Sequence, residues 1–461
     1  MRFDNSPECM KSELDLFSVP PQSSLENGVW CSKEASEGYK SSTATVNFNI
    51  PANADHYLDF SENFLHLKCL IRKKNPDNTL ATKNFEAGDK IGPVNGFLHF
   101  LFSQVEVKLN GTSVENSNKM YPYRAYFDII SRHDIDTQMT QLNNEMFIPD
   151  QAGYYENYDL EDEPLVCKLD NDYLNSKIVN RTGGAKKTNE GCINRRNRFL
   201  TPSADGEVEL CGKLHINLAS TPKYMLNNVS VEIILTRSDP QFCLMGATGD
   251  CSVYISEAVF RYRKIKYSDR VAIGHLAGLE RMNAQYPYKE VKMNSVSIPS
   301  GSESLKITNI HNGKAPNFML MGFVSTSAFS GDYTRNPVFF QPFGLKSLLV
   351  KIGGENIPYN EDLKFNYNAK HYAQAYNTIF QKAFAARNIT FDDYHKGTAI
   401  YMFDFTPDLC SLNHFNVTKH GEISVTCNFQ KTQENIHAIF YLEFDNILEI
   451  SKLRVAIPNP N

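Results

Sequence analysis

The alternation of apolar and polar residues predicts a β-hairpin in FLHFLFSQVEVKLNGTSVE, which runs from Phe97 to Glu115. Three apolar residues occupy every second position, the period of a strand with one buried face: Val105, Val107 and Leu109. Asn110-Gly111 then supplies two residues that tolerate positive φ, which is the strongest short signal for a hairpin turn. We expect the returning strand to begin at Thr112.

The same pattern occurs a second time in FGLKSLLVKIGGENIP, from Phe343 to Pro358, where VKIGG aligns without a gap on VKLNG of the first hairpin. Six further matches follow in the same order: Ile50-Pro51 with Ile298-Pro299, FLHLKCLI at Phe64 with FMLMGFV at Phe318, Phe100 with Phe343, Ala125-Tyr126-x-x-Ile129 with Ala375-Tyr376-x-x-Ile379, Thr221-Pro222 with Thr406-Pro407, and the strands at Val253 and Ile436. The matched positions lie about 250 residues apart up to Ile130 and about 185 apart after Gly212. We therefore predict a duplication, with about 65 extra residues in the first copy.

Each copy contains about eight strand-like runs separated by turn residues. The clearest runs are Thr45 to Pro51, Phe64 to Arg72, Gly212 to Leu218, Val229 to Arg237 and Val253 to Ser268, then Val291 to Pro299, Phe318 to Val324, Ala375 to Phe380, Gly397 to Asp408, Glu422 to Phe429 and Ile436 to Ser451. Eight antiparallel strands in two packed sheets form a β-sandwich, of which the jelly roll is the common form. The prediction is an all-β fold of two tandem eight-stranded jelly rolls, a double jelly roll, joined by a short helix at Asp269 to Asn283, where apolar residues recur at helical spacing.

This pattern divides the chain into five parts. They are an N-terminal arm at 1–41, a first jelly roll at 42–268 with an inserted loop region at about 131–205, a linker helix at 269–286, a second jelly roll at 287–452 and a C-terminal tail at 453–461. The arm lacks periodicity and is either disordered or docked on its own domain or a neighbour through four apolar residues, Leu14, Leu16, Phe17 and Val19. The insertion is polar, so we expect it to project from the first jelly roll, with a first short helix at Gln138 to Glu145.

Composition excludes several classes of protein. The net charge of −5 and pI of about 6.2 provide no global basic field for nucleic acid or anionic lipid. Ten scattered cysteines without a C-x-x-C pair indicate unpaired thiols in a reducing compartment. The N-terminus has no apolar core of a signal peptide, and no apolar run approaches the roughly 18 to 20 residues of a membrane span.

The motifs of common enzymes are missing from the sequence. It contains no G-x-S-x-G elbow, no phosphate-binding G-x-x-x-x-G-K-[ST] loop and no H-x-H metal motif. His414 and His420 share a loop, but a metal site needs a third ligand. Asp392-Asp393 and the acidic run Asp159 to Glu163 are interpreted as solvated loops. We therefore predict no catalytic, cofactor-binding or metal-binding residues and no enzymatic activity.

Basic residues cluster in three places: Arg72-Lys73-Lys74, Arg195-Arg196 with Arg198, and Arg261 with Arg263, Lys264 and Lys266. The first two clusters fall in predicted loops and are interpreted as solvated charge. The third lies on a strand and places charge on both of its faces, which predicts that this end of the strand leaves the core. An interface or a nucleic-acid-facing role is the alternative for this third cluster.

A longer series of motifs carries a family resemblance. The series comprises LDLFSVPPQSSLENG, GPVNGFLHFLFSQVEVKLNG, YPYRAYFDII, LTRSDPQFCLM, NAQYPY, FDFTPDLC and YLEFDNILEI. It resembles the hexon-like major capsid proteins of Polinton/Maverick elements and adintoviruses, in the same order from about Leu14 to Ile450. The resemblance implies a double jelly-roll capsid protein without catalytic residues. Loops between Ile130 and Gly212 match no motif of the family.

The resemblance also implies the partners and the location. Such proteins form homotrimers of pseudo-hexagonal outline, which tile an icosahedral shell around double-stranded DNA. The expected partners are the protein itself, a single jelly-roll penton protein and minor capsid proteins, with the packaged DNA contacted only indirectly. The expected location is the virion, after synthesis inside the host cell and without secretion.

Two other classes of function compete with the capsid interpretation. A carbohydrate- or protein-binding β-sandwich, such as a viral attachment or lectin-like protein, is the main alternative. Such modules usually work as single sandwiches on secreted chains, which does not suit a tandem copy without a signal peptide. A hydrolase on a β-sandwich scaffold would need a constellation of catalytic residues that the motifs do not provide.

Overall fold

A computed structural model gives the fold. It describes residues 14, 16, 21–40, 45–73, 89–157, 188–200, 206–246, 251–308, 310–311, 313–357, 361–380, 389–407, 409, 415–416 and 420–458.

The first half of the chain forms two packed four-stranded sheets. One has the strand order β1-β10-β3-β7 and the other β2-β8-β5-β6, with antiparallel pairing, and β4 and β9 form a separate pair. The strands are β1 (Leu25–Glu34), β2 (Thr45–Ile50), β3 (His56–Lys73), β4 (Ile91–Pro93), β5 (Phe102–Leu109), β6 (Thr112–Asn116), β7 (Val208–Gly212), β8 (Val231–Arg237), β9 (Leu244–Gly246) and β10 (Cys251–Tyr267).

The second half repeats this arrangement strand for strand. Its sheets have the orders β11-β19-β13-β17 and β12-β18-β14-β15, and β20 and β16 add to them beside β19 and β14. The strands are β11 (Ala284–Ile298), β12 (Ser304–Ile307), β13 (Phe318–Ser325), β14 (Leu345–Ile352), β15 (Glu355–Ile357), β16 (Leu363–Lys364), β17 (Ile400–Asp404), β18 (Ile423–Phe429), β19 (Ile436–Ile450) and β20 (Ala456–Pro458).

Aromatic and aliphatic side chains fill the space between the two sheets of each sandwich. Phe48 of β2 and Phe260 of β10 meet at 5.7 Å between ring centroids in the first, and Phe323 of β13 and Phe429 of β18 meet at 5.6 Å in the second. The alternating residues of the first hairpin, Val105, Val107 and Leu109, are all buried. Each such side chain contributes about 1.5–3 kcal/mol by leaving water.

The two hairpins occupy the same place in the two halves. Asn110-Gly111 joins β5 to β6, and Gly353-Gly354 joins β14 to β15, so both turns connect the third and fourth strands of their second sheet. All four residues have positive φ, between 47° and 93°, as a two-residue hairpin turn requires. The predicted equivalence of these hairpins is confirmed, and so is the double jelly-roll fold.

Short helices connect the strands. They are α1 (Phe97–Phe100), α2 (Tyr121–Arg132), α3 (Ile135–Met139), α4 (Glu190–Arg198), α5 (Pro240–Cys243), α6 (Asp269–Leu279), α7 (Thr326–Ser330), α8 (Ala373–Thr378) and α9 (Phe391–Tyr394), with 3-10 turns at Gln141–Glu145 and Asn217–Ser220. The predicted helix between the jelly rolls is α6. The strand after it begins at Ala284 instead of 287, because β11 is an edge strand, and an edge strand tolerates Pro287.

The structure corrects the expected N-terminal arm. Residues 25–34, assigned to the arm, form β1 and pair with β10 along its whole length, from Leu25 opposite Tyr267 to Glu34 opposite Val259. As a result, the proposed match of Ile50 with Ile298 is wrong, since Ile50 ends the second strand of its jelly roll and Ile298 the first. The edge strand β1 is exposed along most of its length and therefore lacks the alternation that marked the other strands.

Three segments between strands also differ from expectation. Tyr121–Arg132 is the first long helix, although the first helix was expected at Gln138. Ala373–Thr378 is helical where a strand was predicted, because β-forming residues in so short a run do not decide the conformation. The strand predicted from Gly212 to Leu218 ends at Gly212.

Candidate functional site: the junction between the two jelly rolls

Helix α2 lies between the two jelly rolls and carries a buried carboxylate, Asp128, at their junction. One oxygen of Asp128 accepts a hydrogen bond of 2.7 Å from the hydroxyl of Tyr441, which belongs to β19 of the second jelly roll. The same oxygen lies 3.3 Å from Nε of Arg132, and the other lies 3.2 Å from Nδ1 of His215. Asp128 therefore touches groups from both halves of the molecule.

The charges around Asp128 determine its ionisation. Burial opposes the charged form, but Arg132, the hydrogen bond from His215 and Arg124 outweigh it, so the pKa of Asp128 lies well below its ordinary value of 3.8. Arg132 also donates to the hydroxyl of Tyr441 at 3.0 Å and to the carboxylate of Glu443 at 2.7 Å. This chain of charges crosses from α2 to β19.

A second ion pair extends the network within the first jelly roll. Arg124 donates to Glu115, and both side chains are almost fully buried. The other oxygen of Glu115 accepts 2.7 Å from the backbone N–H of Asn217, whose side-chain oxygen accepts 3.1 Å from the N–H of Val291 in β11. The buried charges therefore also reach the first strand of the second jelly roll.

The predicted insertion contributes a second group of contacts to the junction. Arg195 of α4 is fully buried and pairs with Asp150 at 2.5 Å, and its Nε donates 2.8 Å to the carbonyl of Pro93. The other carboxylate oxygen of Asp150 accepts 3.0 Å from the amide of Asn336, a residue of the second jelly roll. Breaking a buried pair of this kind typically costs about 3–5 kcal/mol.

Two residues of the insertion on the N-terminal side of residues 158–187, Tyr155 and Glu156, dock directly on the second jelly roll. Tyr155 stacks on Phe339 with 4.9 Å between ring centroids and 9° between ring planes, and Glu156 pairs with Arg335 at 3.0 Å. A side chain at Gly397 would collide with the ring of Tyr155, so glycine is needed there.

The expectation that residues 131–205 project away from the core is therefore wrong for the segment from Asp150 to Glu156 and for α4, which pack into the junction, whereas α3 carries exposed residues. Residues 158–187 and 201–205 lie outside the described residues. The polar composition misled the prediction, because the polar groups are paired with one another inside the molecule.

An aromatic cluster completes the junction around Phe340 of the second jelly roll. Its ring contacts three aromatic rings of α2 at centroid distances from 5.2 to 6.4 Å: Tyr123, Tyr126 and Phe127. Phe340 is fully buried. Apolar packing together with the charged network joins the two jelly rolls into one block.

The network contains two histidines, His99 and His215, that the sequence motifs did not identify as functional. His99 of α1 contacts the hydroxyl of Tyr121 at 3.0 Å through Nδ1 and the carboxylate of Glu145 at 3.0 Å through Nε2. The ring of His215 lies edge-on to that of His99, 4.8 Å away between centroids. Burial is the main reason why the pKa of His215 is lowered. Ligand atoms of His99, Glu145 and His215 all lie within 4.8 Å of one another.

Residues of the first two basic clusters make more contacts within the protein than expected. Arg72 extends β3 and lies 4.4 Å from the ring centroid of Tyr254, while Lys73 pairs with Asp89 at 2.8 Å. Arg195 is wholly buried and Arg198 donates 2.7 Å to the carbonyl of Asn143. Interpreting these arginines as solvated charge was wrong, because sequence does not reveal a partner supplied by a distant segment.

The third cluster remains part of the sheet. The pairing of β10 with β3 shifts register between Tyr262 and Arg263, and buried residues continue on both sides of the shift, at Tyr262 and Ile265. The strand therefore does not leave the core. Lys266 pairs with Glu26 of β1 at 2.8 Å, so part of this charge is neutralised locally.

The other predicted features give no reactive site. His420 is exposed beside a cleft of about 450 Å³ that Lys314 and Asp445 also line, and His414 lies outside the described residues. Asp392 and Asp393 pair with lysines at 2.9 and 3.5 Å. Seven cysteines in the described ranges are free thiols: Cys31, Cys69, Cys192, Cys211, Cys243, Cys251 and Cys427. Within those ranges, no helix is both long and apolar enough to span a membrane.

Comparison with known proteins identifies other proteins with a similar fold. No protein-family model matches the chain. A Caenorhabditis elegans protein, uncharacterized protein F54H12.2, is 20% identical over 374 residues, which cover 78% of this chain and 80% of the relative.

Three viral structures resemble the whole chain. A chain of the Sputnik virophage cryo-EM structure has a TM-score of 0.62 at 11% identity. The match covers 99% of this protein and 93% of the Sputnik chain. The Faustovirus major capsid protein has a TM-score of 0.58 at 10% identity, with coverages of 95% and 92%. PBCV-1 VP54, as fitted into a reconstruction of Sputnik, has a TM-score of 0.57 at 10% identity, with coverages of 97% and 99%. This protein thus has the double jelly-roll fold of viral major capsid proteins.

Proposed function

We propose that this protein is a major capsid protein that acts by self-association and not by catalysis. The observation that carries the proposal is the pairing of two equivalent jelly rolls over nearly the whole chain, a fold that the Faustovirus major capsid protein shares over 92% of its length. In finer terms, the sequence motifs favour a virus or virus-like element of the Polinton/Maverick and adintovirus group.

The geometry explains how one gene product could tile a shell. Two similar sandwiches side by side give each subunit two similar blocks, and three subunits around a threefold axis present six, a near-hexagon. A closed trimer repeats one heterologous contact three times. Because the subunits carry a net charge of only −5, dense lateral packing meets little mutual repulsion. A single jelly-roll penton protein, minor capsid proteins and indirectly contacted DNA complete the proposed set of partners.

The mass of the purified full-length protein in solution tests the proposal. We expect a stable trimer, with three times the 52.3 kDa of one chain by light scattering, and shells in electron micrographs after concentration. A protein that stays monomeric at high concentration and forms no particles would contradict the proposal. If such a monomer bound immobilised glycans, the result would support the β-sandwich binding module instead.

A further inference from the structure

Three side chains of the types that bind transition metals converge inside the first jelly roll. His99 comes from α1, Glu145 from the end of the 3-10 turn at Gln141–Glu145, and His215 from the segment after β7. The exposed fractions of the side chains are only 1% for His99, 7% for Glu145 and 14% for His215. Three segments, spread over the 116 residues from His99 to His215, thus bring two imidazoles and one carboxylate to one buried point.

In each histidine, Nδ1 contacts another side chain, which leaves Nε2 for a metal ion. Nδ1 of His215 lies 3.2 Å from the carboxylate of Asp128, and Nδ1 of His99 lies 3.0 Å from the hydroxyl of Tyr121. Such contacts fix the orientation and tautomer of metal-binding histidines, most often with a carboxylate as the partner. In both residues, Nε2 is the nitrogen left for a shared ligand.

The lack of a side chain at Gly212 makes room for the carboxylate of Glu145. A Cβ at Gly212, the last residue of β7, would collide with the side chain of Glu145. Glycine at this position lets the carboxylate reach Nε2 of His99, 3.0 Å away.

We propose that His99, Glu145 and His215 bind one Zn²⁺ ion, or another first-row divalent ion of similar preference such as Co²⁺. Two imidazoles and one carboxylate suit zinc, whereas magnesium and calcium require mainly oxygen ligands. Ligand atoms about 2.0–2.1 Å from a tetrahedral ion lie roughly 3.3 Å from one another. The three atoms now lie within 4.8 Å, so a closure of about 1.5 Å or less completes the site. Water takes the fourth position.

Binding requires one proton to move. In the metal-free protein the Nε2–H of His99 donates to Glu145, and zinc takes the place of that proton between the two groups. The ring proton shifts to Nδ1, and the Tyr121 hydroxyl, which donated to Nδ1 before, turns so that its oxygen accepts from the Nδ1–H. The ion would cross-link α1, the 3-10 turn and the segment after β7, and it would stabilise the folded protein by ligand linkage. Formation of this site does not depend on the proposed capsid function.

Zinc binding to the chelator-treated, full-length protein tests the proposal. We expect one Zn²⁺ per chain by mass spectrometry of the metal, a rise in melting temperature on adding Zn²⁺ alone, and the visible absorption of a four-coordinate ion on adding Co²⁺. Glu145→Gln and His215→Asn should each lose the bound ion. Tyr121→Phe keeps all three ligands and should weaken binding by about 10- to 100-fold, because it frees the ring of His99.

His66→Gln is the matched control, because His66 is also buried against a carboxylate, that of Glu209, but belongs to no three-ligand group among the described residues. This variant should bind zinc like the unmodified protein. The proposal is overturned if the unmodified protein retains no zinc and shows no four-coordinate Co²⁺ spectrum, or if Glu145→Gln and His215→Asn retain the ion. The first outcome would identify the cluster as a hydrogen-bonded polar core, and the second would place the zinc elsewhere.

Discussion

At the scale of single residues, Asp128 stands out because one carboxylate joins both jelly rolls. Its partners come from three separate parts of the chain: Arg124 and Arg132 on the same helix α2, His215 after β7, and Tyr441 on β19. Asp128 is only 5% exposed, so water has little access to its carboxylate when one of these contacts is removed. Loss of the charge would leave the buried Arg124 and the partly exposed Arg132 with one carboxylate fewer.

We expect Asp128→Asn to lower the free energy of unfolding by about 3–5 kcal/mol, the usual cost of breaking a buried ion pair. The midpoint of urea denaturation measures this change. Asp136→Asn is the control, because Asp136 lies exposed on α3 and should change stability by about 0.5 kcal/mol or less. Equal midpoints for the two variants would show that the network contributes little.

The pH dependence of stability provides a second test of the same residue. The pKa of Asp128 in the folded protein is below the ordinary 3.8, so its contribution is fully present above that value and is lost as the pH falls below it. From about pH 5 to pH 3 the unmodified protein should therefore lose stability more steeply than Asp128→Asn. Parallel curves for the two proteins would contradict the assigned ionisation.

Sequence reasoning could not find this network. Arg124 and Arg132 lie near Asp128 in the sequence, at four-residue spacing on α2. His215, Tyr441 and Glu443 lie far away in the chain, and no pattern around Asp128 indicates burial. Arg195 shows the same limit, since its carboxylate partner Asp150 lies 45 residues away. Charge patterns reveal local pairs in helices, whereas pairs across a fold appear only once the strands are placed.

At the scale of elements, the two hairpins were predictable from sequence, whereas the edge strand β1 and the buried helix α2 were not. Alternation and two positive-φ turn residues specify a hairpin locally. Strand β1 is exposed on most positions, and α2 is buried on nearly every face, so neither shows the half-buried pattern on which prediction depends. The first jelly roll therefore begins at Leu25, with β1, and not at residue 42.

Two truncations distinguish the arm from the strand. Removing residues 1–20 should leave the melting temperature almost unchanged and weaken trimers or shells, because exposed apolar side chains such as Leu14 and Leu16 lose their surface on a neighbour. Removing 1–34 should also destabilise or aggregate the protein, since it uncovers the edge of β10. Light scattering and calorimetry measure both properties.

If the protein lacking residues 1–20 forms normal particles, the arm has no role in assembly. An unchanged melting temperature for the longer truncation would contradict a structural role for β1.

At the scale of the whole molecule, the junction predicts that both jelly rolls unfold together. Calorimetry of the unmodified protein should show one transition. Phe340→Ala removes the ring that packs on α2 and should cost about 3–5 kcal/mol and separate the unfolding into two transitions. Phe365→Ala is the control, because this buried ring contacts Tyr367 and Tyr401 within the second jelly roll. It should lower the melting temperature and retain a single transition.

Two resolved transitions already in the unmodified protein would mean that the junction does not couple the jelly rolls. Two transitions in the Phe365→Ala variant would mean that any core mutation separates them.

The order of strands in the first sheet has a consequence for biosynthesis. The earliest strand of each sandwich pairs with its last long strand: Leu25 lies opposite Tyr267, and Ala284 opposite Ile450. At about 5–20 residues per second, a ribosome needs on the order of ten to fifty seconds to make β10 after β1. During that interval β1 emerges as an unpaired strand, free to join the β10 of another chain on the same messenger RNA. Translation therefore creates a window in which neighbouring nascent chains can exchange their first strands.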